Sequence, residues 1–557
     1  MKKFIFVSGG VCSGLGKGVS ASSLGALLEG RGLNVRMVKC DPYINADAGT
    51  MSPFEHGEVY VTDDGAETDL DLGNYARFTK GRLTKANSIT TGQVYQSVIE
   101  QERAGRYLGK CVQVIPHITD EIKSRIMAVA DEDGDTDIVI VEIGGTVGDI
   151  ESIPFLEAAR QVIHESGRHN AICVHLTLIN EVAGGELKTK PTQHSVKAMQ
   201  AMGLQPDLLI CRAPKMLDDD TRRKLALFTN VDTDAVFTSR TIDTTMYELP
   251  LMFFAQKLDQ VALRKMGVEF RHSNIKPWES MMECFAARKG KVRIGVVGKY
   301  MGLHDAYKSV YEALSHAGIE CLVEVEIVKI DSATMENGDM SPLETGGKPL
   351  VDGILIPGGF GERGIEGMVK AAAWARENRV PCFGICLGLQ VMVIEWCRSK
   401  IGWADANSSE FSKKTAHPVI TLLEELEGVK NYGGTMRLGL GESVAEKGSL
   451  VFAAYENSKE DCTVTEDGLH LWERHRHRYE FSNRFREEIA ASGLKIVALT
   501  PDGDLVECIQ WPDHPWGVGV QFHPEFKSKP TSAAPLFRDF VKAARDRSLG
   551  KQAGKNT

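Results

Sequence analysis

Short runs of uninterrupted apolar residues recur along the chain, each set off from the next by a helix-length stretch. In the first half they are Phe4–Val7, Val35–Val38, Val112–Ile115, Ile138–Ile143, Ala171–Leu178 and Leu208–Cys211. Continuous rather than alternating hydrophobicity suits strands buried on both faces, as in a parallel sheet covered by helices. Segments such as Ala21–Glu29 and Pro154–Ile163 supply the helices, so the expected class is α/β. A second series opens at Val292-Arg293-Ile294-Gly295-Val296-Val297-Gly298 and continues through Ile354–Pro357, Cys382–Ile385 and Val518–Phe522. At 557 residues the chain is too long for one core. The expectation is a domain over 1–266, a linker over 267–290 holding the helix-length piece Lys276 to Ala287, and a domain over 291–546. Residues 547–557 are polar and read as a disordered tail. The polar stretch Asp331 to Lys348, with Asn337-Gly338 and Gly346-Gly347, reads as a loop.

The bulk properties exclude several classes. A net charge of -10 argues against a nucleic-acid-binding face as the main business. Anionic substrates then need local cations, for which Lys188-Thr189-Lys190 and Arg474-His475-Arg476-His477-Arg478 are candidates, although the second reads equally as a solvated polar strand. The 12 cysteines show neither a C-x-x-C pair nor zinc spacing, which points to a reducing cytoplasm. The start, Met1-Lys2-Lys3-Phe4-Ile5-Phe6-Val7, gives way to Ser8-Gly9-Gly10 too soon for a signal sequence and reads as a first strand. No run approaches the ~20 apolar residues of a membrane span.

Two motifs carry chemistry. Phe383-Gly384-Ile385-Cys386-Leu387-Gly388 ends an apolar run in Gly-x-Cys-x-Gly. That is the pattern of a nucleophile elbow, where small flanking residues admit a sharp strand-to-helix turn. Downstream, Val520-Gln521-Phe522-His523-Pro524-Glu525 places a histidine and a carboxylate two residues apart. Residues i and i+2 of an extended segment point the same way. Glu525 can therefore orient His523, and His523 can deprotonate Cys386. A buried inert thiol is the plainer alternative. The second motif is Ser8-Gly9-Gly10-Val11-Cys12-Ser13-Gly14-Leu15-Gly16-Lys17-Gly18, between the first strand and an Ala/Ser/Leu-rich helix. This is the layout of a phosphate-binding loop. Gly10 stands one residue too far upstream, and Gly18 replaces the Ser/Thr that normally holds magnesium. Magnesium would then need carboxylates from elsewhere, and Asp71 and Glu142 stand out. Glu142 ends an apolar strand, where ligand sites of α/β proteins lie.

The elbow, Ile354-Leu355-Ile356-Pro357-Gly358-Gly359 and Phe522-His523-Pro524-Glu525 resemble a class I glutamine amidotransferase domain. Lys39-Cys40-Asp41-Pro42-Tyr43-Ile44-Asn45, Gly49-Thr50-Met51-Ser52-Pro53, His56-Gly57-Glu58-Val59, Asp64 to Asp71, Gly144 to Glu151 and Lys188 to Ser195 resemble the CTP synthases, in that family's order. The resemblance implies a P-loop, dethiobiotin-synthetase-like amidoligase domain followed by a glutaminase. It implies ATP-dependent amination of UTP to CTP, the last step of de novo CTP synthesis, through a 4-phosphorylated UTP, with ammonia from glutamine.

Carried over by motif, Gly14, Leu15, Gly16, Lys17, Gly18, Val19, Lys39 and Asp71 are implied at ATP, with Asp71 and Glu142 at Mg2+. Ser13, Asp149, Ile150, Glu151, Lys188, Thr189, Lys190, Pro191, Thr192, Gln193 and Lys224 are implied at UTP or the feedback inhibitor CTP. Gly359, Leu387, Gly388, Leu389, Gln390, Glu410 and Arg478 are implied at glutamine, the first two as the oxyanion hole. His56 is implied at the ammonia passage and Arg437 at the activator GTP. Gly14 stands where many members have serine, and Thr241 where some have an acid near adenine. A cytoplasmic homotetramer, able to form filaments, with no nucleic acid or membrane partner, is the expected setting. The competing readings are an amidotransferase acting on a cobyrinic acid and a regulatory, filament-forming protein with decayed sites. The Lys188-Thr189-Lys190-Pro191-Thr192-Gln193 segment disfavours the first, and the intact elbow, His523, Glu525, Lys17, Asp71 and Glu142 disfavour the second.

Overall fold

The computed structural model describes the chain except residues 1, 50, 52–56, 133, 168, 271, 304, 423–435, 459–461 and 554–557, and in 551–553 only the backbone. It divides into two compact units, Met1–Gly49 with Thr68–Met282, and Thr50–Glu67 with Glu283–Thr557. The helix Lys276–Ala287 in the expected linker carries the chain from one to the other.

In the first unit, β1 (Lys3–Gly9), β2 (Val35–Asp41), β3 (Ser88–Thr90), β4 (Ile138–Ile143), β5 (Ala171–Leu178), β6 (Leu208–Ala213) and β7 (Val236–Arg240) form one sheet. Its order is β7-β6-β5-β1-β4-β2-β3 and every pairing is parallel. The apolar runs are buried on both faces, as their composition requires. The chain leaves β1 towards β2 on one side, while β5, β6 and β7 build outward on the other. Such a switch point opens a crevice at the carboxyl end of the strands. There the glycine-rich loop leads into α1 (Lys17–Gly30). Two further helices bear on the site, α2 (Leu70–Phe78) and α3 (Lys190–Ala201).

One expected strand is absent. Val112–Ile115 leads into a turn at Val114–Ile118, and Val114 and Ile115 are exposed. Pro116 supplies no N–H to a ladder, which disfavours a central strand there. Two short edge strands, β3 and β7, were not expected, because Ser-Ile-Thr and Val-Phe-Thr-Ser-Arg lack a continuous apolar run.

The second unit holds a ten-stranded sheet of β8 (Lys291–Gly298), β9 (Glu324–Asp331), β10 (Gly353–Ile356), β11 (Cys382–Ile385), β12 (Arg437–Ala445), β13 (Cys462–Val464), β14 (Leu469–His477), β15 (Lys495–Leu499), β16 (Val506–Gln510) and β17 (Gly517–Val520). The order is β9-β8-β10-β11-β17-β16-β15-β12-β14-β13. The first five are parallel and the rest antiparallel. Alternate residues of the central strands feed two cores. Leu355, Phe383 and Ile385 join one cluster, and Ile354, Ile356 and Cys382 the other. Within the expected loop, Glu344–Thr345 pairs with Lys348–Pro349, turned by Gly346 and Gly347 at positive φ. The last helix, Pro535–Ala553, runs on past residue 547, where a disordered tail was expected.

Between β11 and α4 (Leu387–Trp396) the packing is tight. A Cβ on Gly388 would lie 2.1 Å from the Ile356 carbonyl oxygen, and one on Gly384 would lie 2.6 Å from the Gly388 carbonyl carbon. Both clashes are with backbone, which cannot swing aside. Gly388→Ala should therefore destabilise the second unit by about 1–3 kcal/mol, the scale of overpacking. The check is the midpoint of its thermal transition. An unchanged midpoint would show that α4 can slide away from β10 freely.

Candidate active sites

In the first unit the loop after β1 turns through Gly14 at φ 71° and Gly16 at φ 86°, conformations that glycine adopts without penalty. Arg212 donates from Nη1 to the carbonyls of Gly14 and Leu15, both at 3.2 Å, and so braces the loop from β6. Lys17, first residue of α1, bonds the Gly145 carbonyl. Burial pulls its pKa below the usual lysine range, though Glu142 pulls the other way. Ser22 and Ser23 bond back to the carbonyls of Gly18 and Val19, so the first turn of α1 is held by the next.

Beside this loop lies a knot of charge. Lys39 and Glu142 are register partners on β2 and β4. The Lys39 ammonium bonds Asp71, from the first turn of α2, and lies 3.3 Å from Glu142 and 3.5 Å from Asp41. Burial alone would lower the Lys39 pKa, but Asp41, Asp71 and Glu142 together hold it well above the lysine range. Burial raises Glu142, whereas for Asp71 the nearby Lys39 outweighs burial and lowers it. Tyr75 donates to Glu142. A Cβ on Gly18 would sit 3.2 Å from an oxygen of each of Asp71 and Glu142. The glycine that seemed a defect in the motif therefore leaves room where two carboxylates meet. Hard oxygen ligands converging on one cation suit Mg2+, and the two acids fit that ion.

Of the residues expected at UTP or CTP, Asp149, Ile150 and Glu151 are exposed on the loop after β4. Glu186 links two of the cations: Lys188 bonds it at 2.6 Å and, with Lys224 more weakly, holds its pKa low. Lys190 opens α3 and is exposed. Thr189, Thr192 and Gln193 are buried and engaged internally. Thr192 Oγ1 lies 3.0 Å from Thr177 Oγ1, and Gln193 donates to Thr189 Oγ1 at 3.0 Å. They build the turn that presents the lysines.

In the second unit Cys386 stands at φ 54°, ψ -103°, between β11 and α4. This is a strained backbone for a residue with a Cβ. Its N–H is fixed to the Val520 carbonyl at 2.7 Å. Strand β14 supplies two more carbonyls: Arg476 O accepts from the thiol at 3.7 Å, and Arg474 O accepts the His523 N–H at 2.8 Å. His523 Nδ1 lies 2.7 Å from Glu525 Oε1. Burial works against a charged imidazole, but Glu525 and Cys386 outweigh it and carry His523 up to about 10. His523 Nε2 makes no hydrogen bond of good geometry among the described residues, although it is coupled to the thiol beside it. Gly358 touches both groups: a Cβ there would meet His523 Cε1 at 3.0 Å and Cys386 Cβ at 3.6 Å. These residues line one cavity with Gly359, Phe360, Tyr300 and Glu58. A thiol, an imidazole and an orienting carboxylate in this order can attack an acyl carbon.

The glutamine-site candidates divide. Gln390 is buried and donates to the Tyr479 carbonyl at 2.9 Å and to Gln521 Oε1 at 3.3 Å. Glu410 accepts the Gly361 N–H at 3.0 Å, and burial raises its pKa while Lys299 and Arg478 oppose that. Leu387 begins α4, so its N–H faces the elbow. Gly388 and Leu389 pack into the core and offer no side chain to a ligand. Arg437 pairs with Glu507, and His56 lies outside the described residues.

Three features escaped the sequence reading. Gln521 donates from Nε2 to Cys386 Sγ at 3.6 Å; it points the same way as His523, which alternation along the run could have revealed. Lys299 follows directly on β8 and is buried. Its ammonium bonds the carbonyls of Phe360 and Gly361, and burial brings it down to about 8. The run Arg474–Arg478 is no solvated strand, since Arg474, His475 and His477 are buried. Arg474 bonds Asp63 at 2.8 Å and Tyr60, and Arg476 bonds Glu67 at 2.8 Å, so the segment Thr50–Glu67 is tied to β14.

Residues 3–268 match the family model of the CTP synthase N-terminus, and residues 303–543 that of class-I glutamine amidotransferases. The chain is 52% identical over 543 residues to a CTP synthase of Ruminiclostridium cellulolyticum, covering 97% of this chain and 98% of that one. It is 51% identical to a CTP synthase of Acidobacterium capsulatum, over 97% and 95% of the two chains. Among solved structures, the glutaminase domain of a Trypanosoma brucei CTPS is similar at 37% identity, with a TM-score of 0.41 over 46% of this chain and 94% of that one. With two family models in this order and half its residues shared with full-length relatives, the chain belongs to the CTP synthase family.

Proposed function

We propose that the chain carries out its family's glutamine-dependent CTP synthesis by dividing the work between the two sites described above. The observation that carries the glutaminase assignment is Cys386 on a strained elbow beside a His523–Glu525 pair. His523 takes the thiol proton, the sulfur attacks the glutamine amide carbon, and the N–H groups of Leu387 and Gly359 face the oxyanion. His523 then returns a proton to the departing ammonia, and water releases glutamate from the thioester. Gln390, Glu410 and Arg478 hold the amino acid, with Arg478 suited to clamp the α-carboxylate.

In the first unit the glycine-rich loop and Lys17 receive the ATP phosphates, and Lys39 adds charge near the transferred group. Asp71 and Glu142 would hold Mg2+, which when bound neutralises charge on the transferring phosphoryl group. UTP lies against Ser13, Lys188, Lys190 and Lys224, its O4 is phosphorylated, and ammonia displaces the phosphate. Asp149 and Glu151 can accept from a cytosine amino group where uracil has a carbonyl, which distinguishes the inhibitor CTP from substrate. GTP acts through Arg437. Self-association as a homotetramer would cover exposed apolar side chains such as Leu108, Val114, Ile115 and Ile150. No helix among the described residues is long and apolar enough to cross a membrane, and the cytoplasm is the proposed compartment.

Three outcomes are expected. Cys386→Ala should lower glutamine-dependent CTP formation ~1,000-fold or more while ammonia-dependent formation stays within about twofold, because only the glutaminase needs a sulfur nucleophile. Initial rates with glutamine and then with ammonium test this, and loss of both activities in a folded variant would overturn the two-site reading. Asp71→Ala and Glu142→Ala should each cost ~100-fold or more with either nitrogen donor, since metal stabilisation is worth several kcal/mol. Full ammonia-dependent turnover by both would remove them from the metal site. Glu151→Ala should weaken CTP inhibition more than it raises the UTP requirement. Equal changes in the two constants would mean that the bases share one pocket.

A further inference from the structure

Beneath the glutaminase cavity lies a buried polar chain that the thioester chemistry does not use. It starts at Arg437 on β12, whose guanidinium bonds Glu507 Oε1 from β16. Glu507 Oε2 lies 3.6 Å from His475 Nε2 on β14, both side chains being fully buried. His475 Nδ1 is 3.1 Å from His477 Nε2, and His477 Nδ1 is 3.1 Å from the Tyr479 carbonyl. That same carbonyl accepts from Gln390 at 2.9 Å, and Gln390 continues through Gln521 to Cys386 Sγ. The Glu507 backbone joins in as well, since its carbonyl accepts the Gln521 N–H at 2.9 Å.

The proton positions follow from the carbonyl end. A carbonyl only accepts, so His477 carries its hydrogen on Nδ1. Burial pushes His477 down to about 3, so the ring is neutral and Nε2 is a bare acceptor. His475 Nδ1 must then be the donor to it. His475 is likewise held neutral by burial, with the Arg437 charge adding to the effect. Its Nε2 is therefore bare too, and faces an oxygen of Glu507. Neither atom has a hydrogen-bond partner among the described residues. Two acceptors standing 3.6 Å apart match this assignment, since a hydrogen bond between them would be nearer 2.8 Å. Besides Arg437 and His475, Asp502 and Ser443 face Glu507; burial raises its pKa, and Arg437 pulls it back towards the carboxylate that the two-acceptor assignment requires.

We propose that Glu507, His475 and His477 are positioning residues of the glutaminase, a relay that transmits the placement of Arg437 to Gln390 and hence to the bound glutamine. The proposal deepens the glutaminase reading and rests on it. The relay acts on glutamine binding more than on chemistry, because it meets Gln390 first, touches the thiol only through the 3.6 Å Gln521 contact, and makes no hydrogen bond to the His523–Glu525 pair among the described residues. It also has an asymmetry that a mere filler of the core lacks. An amide at position 507 keeps an acceptor for Arg437 and adds a donor aimed at the bare His475 nitrogen.

The test is steady-state kinetics on the full chain with glutamine and, separately, with ammonium. Glu507→Leu should raise the glutamine KM about tenfold with kcat within threefold, and Glu507→Gln should restore KM to within about twofold of wild type. Adding His477→Phe to Glu507→Leu should change little further, as expected for members of one unit. Ammonia-dependent CTP synthesis should match wild type in all these variants. If no variant or wild type makes CTP from ammonia, the functional reading fails. If CTP forms but the Leu variant has the wild-type KM, or the Gln variant is as impaired as the Leu variant, the relay fails. Should Glu507→Leu not fold, 15N shifts of histidine-labelled wild-type protein decide: both rings must be neutral with the proton on Nδ1, and an Nε2–H or charged ring at either position overturns the relay.

Discussion

The second unit is organised by a single unfavourable backbone. Cys386 is held at positive φ, which costs roughly 1–3 kcal/mol and persists only where the surroundings over-determine it. The means are on both sides of the residue. Its N–H is bound to Val520, its flanking glycines are pressed against Ile356 and Met392, and the strand before it is buried in the sheet. The same strand pairing that fixes the cysteine carries Gln521 and His523 out of β17 on the adjacent ladder. Strain, thiol and imidazole are thus consequences of one register. A slip of β17 by one residue would exchange Gln521 and His523 for their neighbours and leave the thiol without either.

The first unit solves a different problem, the burial of several like charges. Asp71 and Glu142 meet in a space that Gly18 leaves open, Asp41 joins them around Lys39, and bringing such groups together out of water is costly without a cation. Lys39 supplies the charge from β2, one strand in from the edge of the sheet. Its position on β2, opposite Glu142 on β4, makes that pair a property of strand pairing, with Asp71 added from the first turn of α2. A site built on strands holds its geometry better than one built on loops, as the proposed phosphoryl transfer, in which positioning is most of the catalysis, would require.

Most of this was legible in the sequence, and the misses have common causes. The buried strands, the elbow and the histidine–carboxylate pair announce themselves by continuous hydrophobicity and by spacing. β9, β12 and β14 did not, because charged or polar residues interrupt their apolar ones. Val112–Ile115 misled for the opposite reason: it is apolar but exposed, and Pro116 ends it. The site residues that escaped, Lys299 and Gln521, act through carbonyls or through another side chain. Pairings with main-chain atoms leave little trace in residue type. The run holding His475 and His477 was read as either a cation cluster or a solvated strand, because a basic alternating strand reads the same whether its partners are water or Asp63, Glu67 and Glu507.

The excursion of Thr50–Glu67 into the second unit has a consequence for how the protein could be taken apart. The chain passes between the units near residues 49, 67 and 282, so no single cut yields two whole pieces. A fragment starting at Glu283 would keep the elbow and the histidine but forfeit Glu58, Tyr60, Asp63 and Glu67. Arg474, whose carbonyl holds His523, would then be left in the interior with its carboxylate elsewhere. The early segment is a donated part of the glutaminase, and the two halves are divisible in space but not in order along the chain.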